Sequence, residues 1–461
     1  MSIRVLIAVT GVWEASLVTG LERLHGEVQV VRRCADLTEL LAAALAGFAG
    51  AVVVSSDLYR LDREAVRQLE SCAVALVGLA DPLDPDAGDR LSGLGIAYVV
   101  PAEAPAADVA SAVSEAVGAM AHRRRDIPDR PVRPGAVPAD PVSERTWPAD
   151  PAGALSHPRH GPSSGAPHLV GGRGVAVPGG RGRIVAVWGP SGAPGRTTVA
   201  LTLAGELAAL GGQTLIVDAD TYGPSVAQAL GLLDESGGIA GAVRSANHAA
   251  LDVGRLARLA LSLSPTLRVL TGLPQPSRWP ELRPSGLEVL WQRARDLARW
   301  TVVDCGFGLE ADEEITFDTA APRRNGATLS ALAAADVVLA VGGAEPIGLQ
   351  RLVRGLSDLA DVLGPAVRPR VVVTRVRAEA VGRDPGRRIA EALARYAGVR
   401  DVLLVPDDRA ACDAVMLAGR TLVEMVPGSP ARRAVGALAL SLETSLENET
   451  AAAQLALARS S

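Results

Sequence analysis

The chain has 461 residues and sets 46 basic against 51 acidic side chains, for a net charge of −5. Every basic residue is arginine, so any motif that wants a lysine must use arginine or go without. A 48% hydrophobic and 21% charged composition excludes a wholly disordered or collagen-like chain, and 3% aromatic content argues against an RNA binder that stacks bases on exposed rings.

At roughly 150 residues per domain, the length corresponds to two to three domains. The opening stretch MSIRVLIAVTGVWE carries one arginine, and Thr10, Gly11 and Glu14 interrupt its short apolar run, so no export signal is expected. No run of about 18 apolar residues occurs, so no transmembrane helix is expected either. Cys34, Cys72, Cys305 and Cys412 form no C-x-x-C pair. That spacing fits reduced thiols in a cytoplasm and argues against zinc or iron–sulfur ligation.

Residues 1–121 alternate short β-branched runs (3–9, 28–31, 51–55, 73–79, 97–100) with helical patterns near 13–25, 37–47, 63–71, 84–93 and 106–121. Five β–α repeats predict a small doubly wound parallel sheet. In length and element order the segment resembles a response-regulator receiver domain. A phospho-accepting site needs clustered carboxylates, a Mg²⁺ and a balancing lysine. Here Thr10-Gly11 follows the first run and Val100-Pro101 the fifth, leaving Asp57 alone past the third. The expectation is a degenerate, docking version of such a domain.

Residues 122–182 hold 11 proline and 10 glycine with no periodicity, and are expected to form a flexible linker. Its nine arginines against five acidic residues suit a solubilising tether.

Residues 183–440 return to the β–α rhythm, with strands expected at 183–189, 213–219, 267–272, 300–306, 336–342, 370–376 and 401–406. Several are near-continuous apolar runs, the mark of parallel strands covered on both faces. A second α/β unit, a doubly wound P-loop domain, is the expected fold. Residues 441–461 read as a frayed helical tail without the basic face of a membrane-lying helix.

The sharpest motif is VAVWGPSGAPGRTTVALTLAGELAALG at 185–211. A buried strand runs through a glycine-containing turn into a helix beginning near Arg196, which aims backbone N–H groups at one point, as a di- or triphosphate requires. PSGAPGRT nearly meets the pattern G-x-x-x-x-G-K-S/T, with Pro190 for the first glycine and Arg196 for the lysine. Gly192 and Gly195 keep the close backbone approach, and Thr197 keeps a hydroxyl for Mg²⁺. TLIVDADTYGPS follows at 214–225, where Asp218 and Asp220 end a strand on one side, with Gly223 and Ser225 beyond. In RWTVVDCGFGLE (299–310), Asp304 ends a further buried strand, a place where Mg²⁺ is held through water.

In that order and spacing, residues 183–440 resemble the MinD/ParA family of deviant-Walker P-loop ATPases. DADTYGPSVAQALG is similar to that family's first switch segment, and AADVVLAVGGAEPIGLQRL (333–351) and 405–438 to its later strands and closing segment. A receiver-like domain ahead of such an ATPase resembles the CpaE/TadZ-like branch, which positions pilus or secretion machinery at cell poles. The resemblance implies ATP and Mg²⁺ as cofactors. It implies that Gly192, Ala193, Pro194, Gly195, Arg196, Thr197 and Thr198 cradle phosphates, with Thr197 and Asp304 at the metal. Asp218 would help order the metal's water shell, and Asp220 would orient the attacking water. Thr374-Arg375 would lie beside the adenine and Pro406-Asp407 would close over it. It further implies a homodimer, a protein partner at a pole, septum or secretion machine, and cytoplasmic residence.

The motif of that family is K-G-G-x-G-K-S/T, whose first lysine reaches across the dimer. Here Ser191 stands in that place and Arg196 in the second. Arginine keeps the charge but is bulkier than an ammonium. Loss of an in-trans charge removes a contact worth about 10³-fold or more in phosphoryl transfer. The expectation is therefore nucleotide binding with slow hydrolysis, the alternative being a non-hydrolysing scaffold. A DNA-partitioning role needs a basic surface, for which the acidic balance offers little support.

Overall fold

The structure is a computed structural model, and it describes residues 2–9, 13–24, 28–125, 181–232, 237–310, 323–364 and 367–460. The linker expected at 122–182 lies almost wholly outside the described residues, as does Thr10-Gly11.

Strands β1 (Ile3–Ala8), β2 (Val28–Arg33), β3 (Ala51–Ser55), β4 (Ala75–Ala80) and β5 (Tyr98–Pro101) form one sheet in the order β2-β1-β3-β4-β5. All its pairings are parallel. All five residues of β3 are buried, which explains its unbroken apolar run: in a central parallel strand both alternating faces meet helices. Two separate apolar clusters line the two faces, one around Val5, Val53 and Val113, the other around Leu6, Val54 and Leu69. Asp57, just beyond β3, is exposed.

A second sheet holds β6 (Arg183–Trp188), β7 (Thr214–Ala219), β8 (Leu261–Ser262), β9 (Leu267–Leu270), β10 (Trp300–Cys305), β11 (Val337–Gly343), β12 (Arg370–Val376) and β13 (Val402–Pro406). Their order is β13-β12-β11-β6-β10-β7-β9-β8. Every pairing is parallel except that of β8 with β9. β10 sits between β6 and β7, and its six residues are all buried. One face carries helix Arg196–Ala209, and the other carries helices Gly238–Asn247 and Pro284–Leu297.

Two features depart from expectation. The two-residue edge strand β8 was not expected, and both its residues are exposed, so no apolar pattern marks it. The C-terminal helix runs unbroken from Pro430 to Ser460, with no break at 440. Leu442 is buried within the core facing helix Arg196–Ala209. Glu443 accepts hydrogen bonds from Arg299 Nε (2.8 Å) and Trp300 Nε1 (2.5 Å).

The two sheets meet through helix Arg63–Ser71, which packs against helices Gly238–Asn247 and Pro284–Leu297. Ser285 Oγ donates to the buried Glu64 carboxylate at 2.8 Å, and Arg67 pairs with Glu288 at 2.5 Å. No helix among the described residues is long and apolar enough to cross a membrane.

Candidate functional site

The second sheet brings the carboxyl ends of β6, β10 and β7 side by side. Ligands bind at such strand ends in open α/β sheets, where the chain order reverses. In register, Asp304 lies beside Val187 on one flank and Asp218 on the other. Side chains two residues apart share a face of a strand. Asp218 and Asp304 therefore continue the buried column of Ile216 and Val302, on the side of helix Arg196–Ala209.

The loop 189–195 reverses direction over that face. Gly192 (φ 72°) and Gly195 (φ 87°) occupy left-handed conformations that a side chain would strain. Gly195 is the N-cap of helix Arg196–Ala209, whose first-turn N–H groups have no acceptor within the helix. Thr374 Oγ1 ties the loop to the sheet, reaching Pro194 O at 2.7 Å and Gly342 O at 3.2 Å.

Thr197 Oγ1 donates to Asp304 Oδ2 at 2.7 Å and lies 3.3 Å from Ser225 Oγ. The second oxygen, Asp304 Oδ1, is buried and has no hydrogen-bond partner. Asp218 accepts from the backbone N–H groups of Ser225 (2.9 Å), Val226 (3.0 Å) and Asp220 (3.2 Å), so it shapes the turn after β7. Burial pushes the Asp218 carboxyl up to about 8, and the neighbouring Asp304 carboxylate adds to the shift. Asp304 is raised to about 6, again chiefly by burial. Burial likewise pushes the Cys305 thiol up, which makes it inert as a nucleophile.

Arg196 does not extend outward from the loop. Its guanidinium donates to Gly189 O (3.3 Å), Cys305 O (3.2 Å) and Asp220 Oδ2 (3.3 Å). Asp220 Oδ1 in turn accepts from the backbone N–H of Tyr222 (2.8 Å) and Gly223 (3.1 Å). Tyr222 is a residue that the sequence motifs did not single out. Its ring stacks on Phe307 with centroids 4.5 Å apart, the Arg324 guanidinium lies over it, and its hydroxyl donates to Asn325 at 2.9 Å. The loops after β7 and β10 are thereby joined.

Thr374, Arg375, Pro406 and Asp407 come together with Gly195 and Thr198 around a cleft of about 440 Å³. Arg375 holds a positive φ of 55°, unusual for a residue with a side chain. Asp407 is gripped by Arg377 (3.2 Å) and Arg409 (3.3 Å). Asp218, Asp220 and Asp304 do not line this cleft. Larger hollows of about 690 and 730 Å³ lie elsewhere and are lined by none of the individually named site residues, so size alone does not mark the site.

A hard divalent cation fits these residues. The buried, unpartnered Asp304 Oδ1 beside the Thr197 hydroxyl is an oxygen pair of the right chemistry. No group of three His, Cys, Asp or Glu side chains among the described residues could hold a metal alone. Mg²⁺ does not need one when one or two carboxylates act together with substrate phosphates.

No family model matches the chain, and no curated protein matches it. Solved structures do. The cell-division ATPase MinD of Pyrococcus furiosus aligns at 20% identity over 57% of this chain and 99% of its own, with a TM-score of 0.44. A ParA-family ATPase from Chlorobium tepidum aligns at 18% identity over 56% of this chain and 98% of its own, at 0.45. The septum site-determining protein MinD of Pyrococcus horikoshii, solved with Mg-ADP, aligns at 19% identity over 56% of this chain and 95% of its own, at 0.43. These neighbours are MinD- and ParA-type P-loop ATPases of low identity, aligned with about half of the chain.

Proposed function

We propose that the chain is a nucleotide-binding switch protein of the MinD/ParA class, taking ATP with Mg²⁺ on the loop 189–198 and hydrolysing it slowly. The observation that carries this reading is the Thr197–Asp304 hydrogen bond at 2.7 Å, with the free Asp304 Oδ1 buried beside it at the base of the loop. Thr197 and Asp304 would hold Mg²⁺, which would supply positive charge to offset that of the phosphates. The chain's own residues supply the rest. The amides of the loop and the first helical turn would donate to the phosphates, and Thr197 and Asp304 would orient the cation. Asp218 holds the turn that carries Asp220. Asp220, freed from Arg196, would orient a water for attack, while Arg196 would turn to the phosphates. Thr374, Arg375, Pro406 and Asp407 would flank the base in the 440 Å³ cleft. On this reading the nucleotide state governs homodimer formation and presents a surface to a partner in pilus, secretion, polar or septal machinery. The five-stranded unit, whose Asp57 lies exposed, would serve as a receiver-like docking module of the CpaE/TadZ type.

A second reading, a scaffold that binds nucleotide without hydrolysing it, draws support from the Arg196–Asp220 pairing and from Ser191. Both remove groups that the reaction would use. Binding and turnover of ATP by the full chain, with and without Mg²⁺ and with mass read by light scattering, separates the two. Mg²⁺-dependent turnover with an ATP-induced dimer supports the switch. Binding without turnover supports the scaffold, and no binding overturns both.

A further inference from the structure

We propose that Arg351 supplies, from within the same chain, a second positive charge at the phosphate loop, and that it recognises the terminal phosphate of a nucleoside triphosphate. The proposal rests on the nucleotide-binding reading above and deepens it.

In the ligand-free chain the loop's own cation, Arg196, is paired with Asp220 and also donates to two carbonyls, so its charge is committed until that pair opens. Ser191 brings no charge. Arg351, 160 positions further along the chain, donates through Nη1 to Ser191 O at 3.3 Å. That acceptor is a neutral carbonyl, and no carboxylate among the described residues is paired with Arg351. A guanidinium has five N–H donors, and this contact uses one. The side chain is exposed, so the remaining fork is open to a ligand at the loop.

Two glycines set this approach. Gly192, glycine at a φ of 72°, lies directly against Arg351 Nη1, which occupies the space a Cβ would take. Gly355, one turn beyond Arg351 on helix Pro346–Leu363, lets that helix lie directly on the loop's base, since a Cβ would come within 2.9 Å of Trp188 and 3.1 Å of Pro190. Leu352 is wholly buried, which fixes the helix against the sheet. The cation is thus carried on a rigid element, and arginine's planar fork suits phosphate oxygens.

The test is calorimetric titration of the full chain with ATP and with ADP, at concentrations where light scattering shows one oligomeric state. Wild type is compared with Arg351→Ala, Arg351→Gln and Arg351→Lys. Loss of one charge-assisted contact predicts that Ala and Gln each weaken ATP binding about tenfold relative to ADP, while Lys keeps most of the preference. Gln removes the charge while keeping a neutral amide donor on a shorter side chain. A Gln variant whose ATP-to-ADP ratio stays within about twofold of wild type, or an equal loss for both nucleotides, overturns the proposal and leaves Arg351 as a strut for the loop. Melting curves check that each variant is folded, and if Ala fails, Gln and Lys decide. Wild type that binds neither nucleotide overturns the nucleotide reading and this proposal with it, an outcome distinct from wild-type binding that the variants leave unchanged.

Discussion

Arg196 Nη2 lies 3.3 Å from Asp220 Oδ2, so the cation at the start of helix Arg196–Ala209 and the carboxylate at the end of the Asp-x-Asp motif hold each other. Both side chains are largely buried, at 18% and 10% exposure, which strengthens the pairing over that of a surface bridge. On the proposed reading, nucleotide binding on this loop would exchange that contact for contacts to phosphate. Asp220→Asn keeps the shape and removes the charge. We expect it to bind ATP within a few-fold of wild type or better, and to lose about 10²-fold or more in turnover, as removal of a group that positions the attacking water does. Single-turnover assays beside binding titrations read both quantities; unchanged turnover removes Asp220 from the reaction.

Thr197→Ala deletes the hydroxyl that contacts Asp304 and leaves both oxygens of that buried carboxylate without it. The Mg²⁺ dependence of ATP affinity should fall by roughly 10- to 100-fold, the range for a hydrogen bond to a charged group. Titrations at fixed ATP and varied Mg²⁺ measure it. An undiminished metal dependence would place the cation elsewhere.

The stability of the ligand-free chain should fall as pH rises. Asp218 and Asp304 are raised by burial from an ordinary value of 3.8 to about 8 and about 6. Between those limits the folded chain retains protons that the unfolded chain has released, so unfolding becomes progressively easier toward pH 8. Asp218→Asn, which cannot ionise, should flatten the slope of melting temperature against pH. A wild-type slope of the opposite sign between pH 5 and pH 8 would rule out this assignment.

Thr374→Val preserves shape but leaves Pro194 O, the nearer acceptor of the Thr374 hydroxyl at 2.7 Å, without its donor. A loss of about 1–3 kcal/mol in unfolding free energy follows from leaving the Pro194 carbonyl without its partner. Chemical denaturation reads the first effect. Because the loop is released from β12, affinity for adenine nucleotides should drop as well, which titration of the same variant reads.

Glu64 is buried at the contact between the two sheets' helices and accepts from Ser285 Oγ at 2.8 Å. Glu64→Ala should cost about 1–3 kcal/mol, because Ser285 loses a charged acceptor in a buried setting. A denaturation midpoint that does not move would mean that this contact contributes nothing to the fold.

The two sheets were legible in the residue order because their strands are short continuous apolar runs, which only parallel strands covered on both faces require. The expected strand 300–306 is β10 to within a residue, and its six buried side chains are the reason the run has no polar break. The place of Asp218 near the end of β7 was legible from the apolar run before it, and the turn from Gly192 and Gly195, whose positive φ angles need the missing side chain; Asp220 lies just past the strand and turns to other partners than Asp218 does. What the order of residues could not contain is the strand order, and with it every contact between distant segments. The insertion of β10 between β6 and β7 puts Asp304 beside Asp218, 86 positions away, and beneath Thr197. The Tyr222–Asn325 hydrogen bond spans 103 positions and the Arg351–Ser191 contact 160, with no local spacing to announce either. Even Arg196, whose place in the motif was plain, turned inward because Asp220 and two carbonyls lay within reach only after folding. Local periodicity records which faces are buried; side-chain partners depend on how the sheet orders its strands.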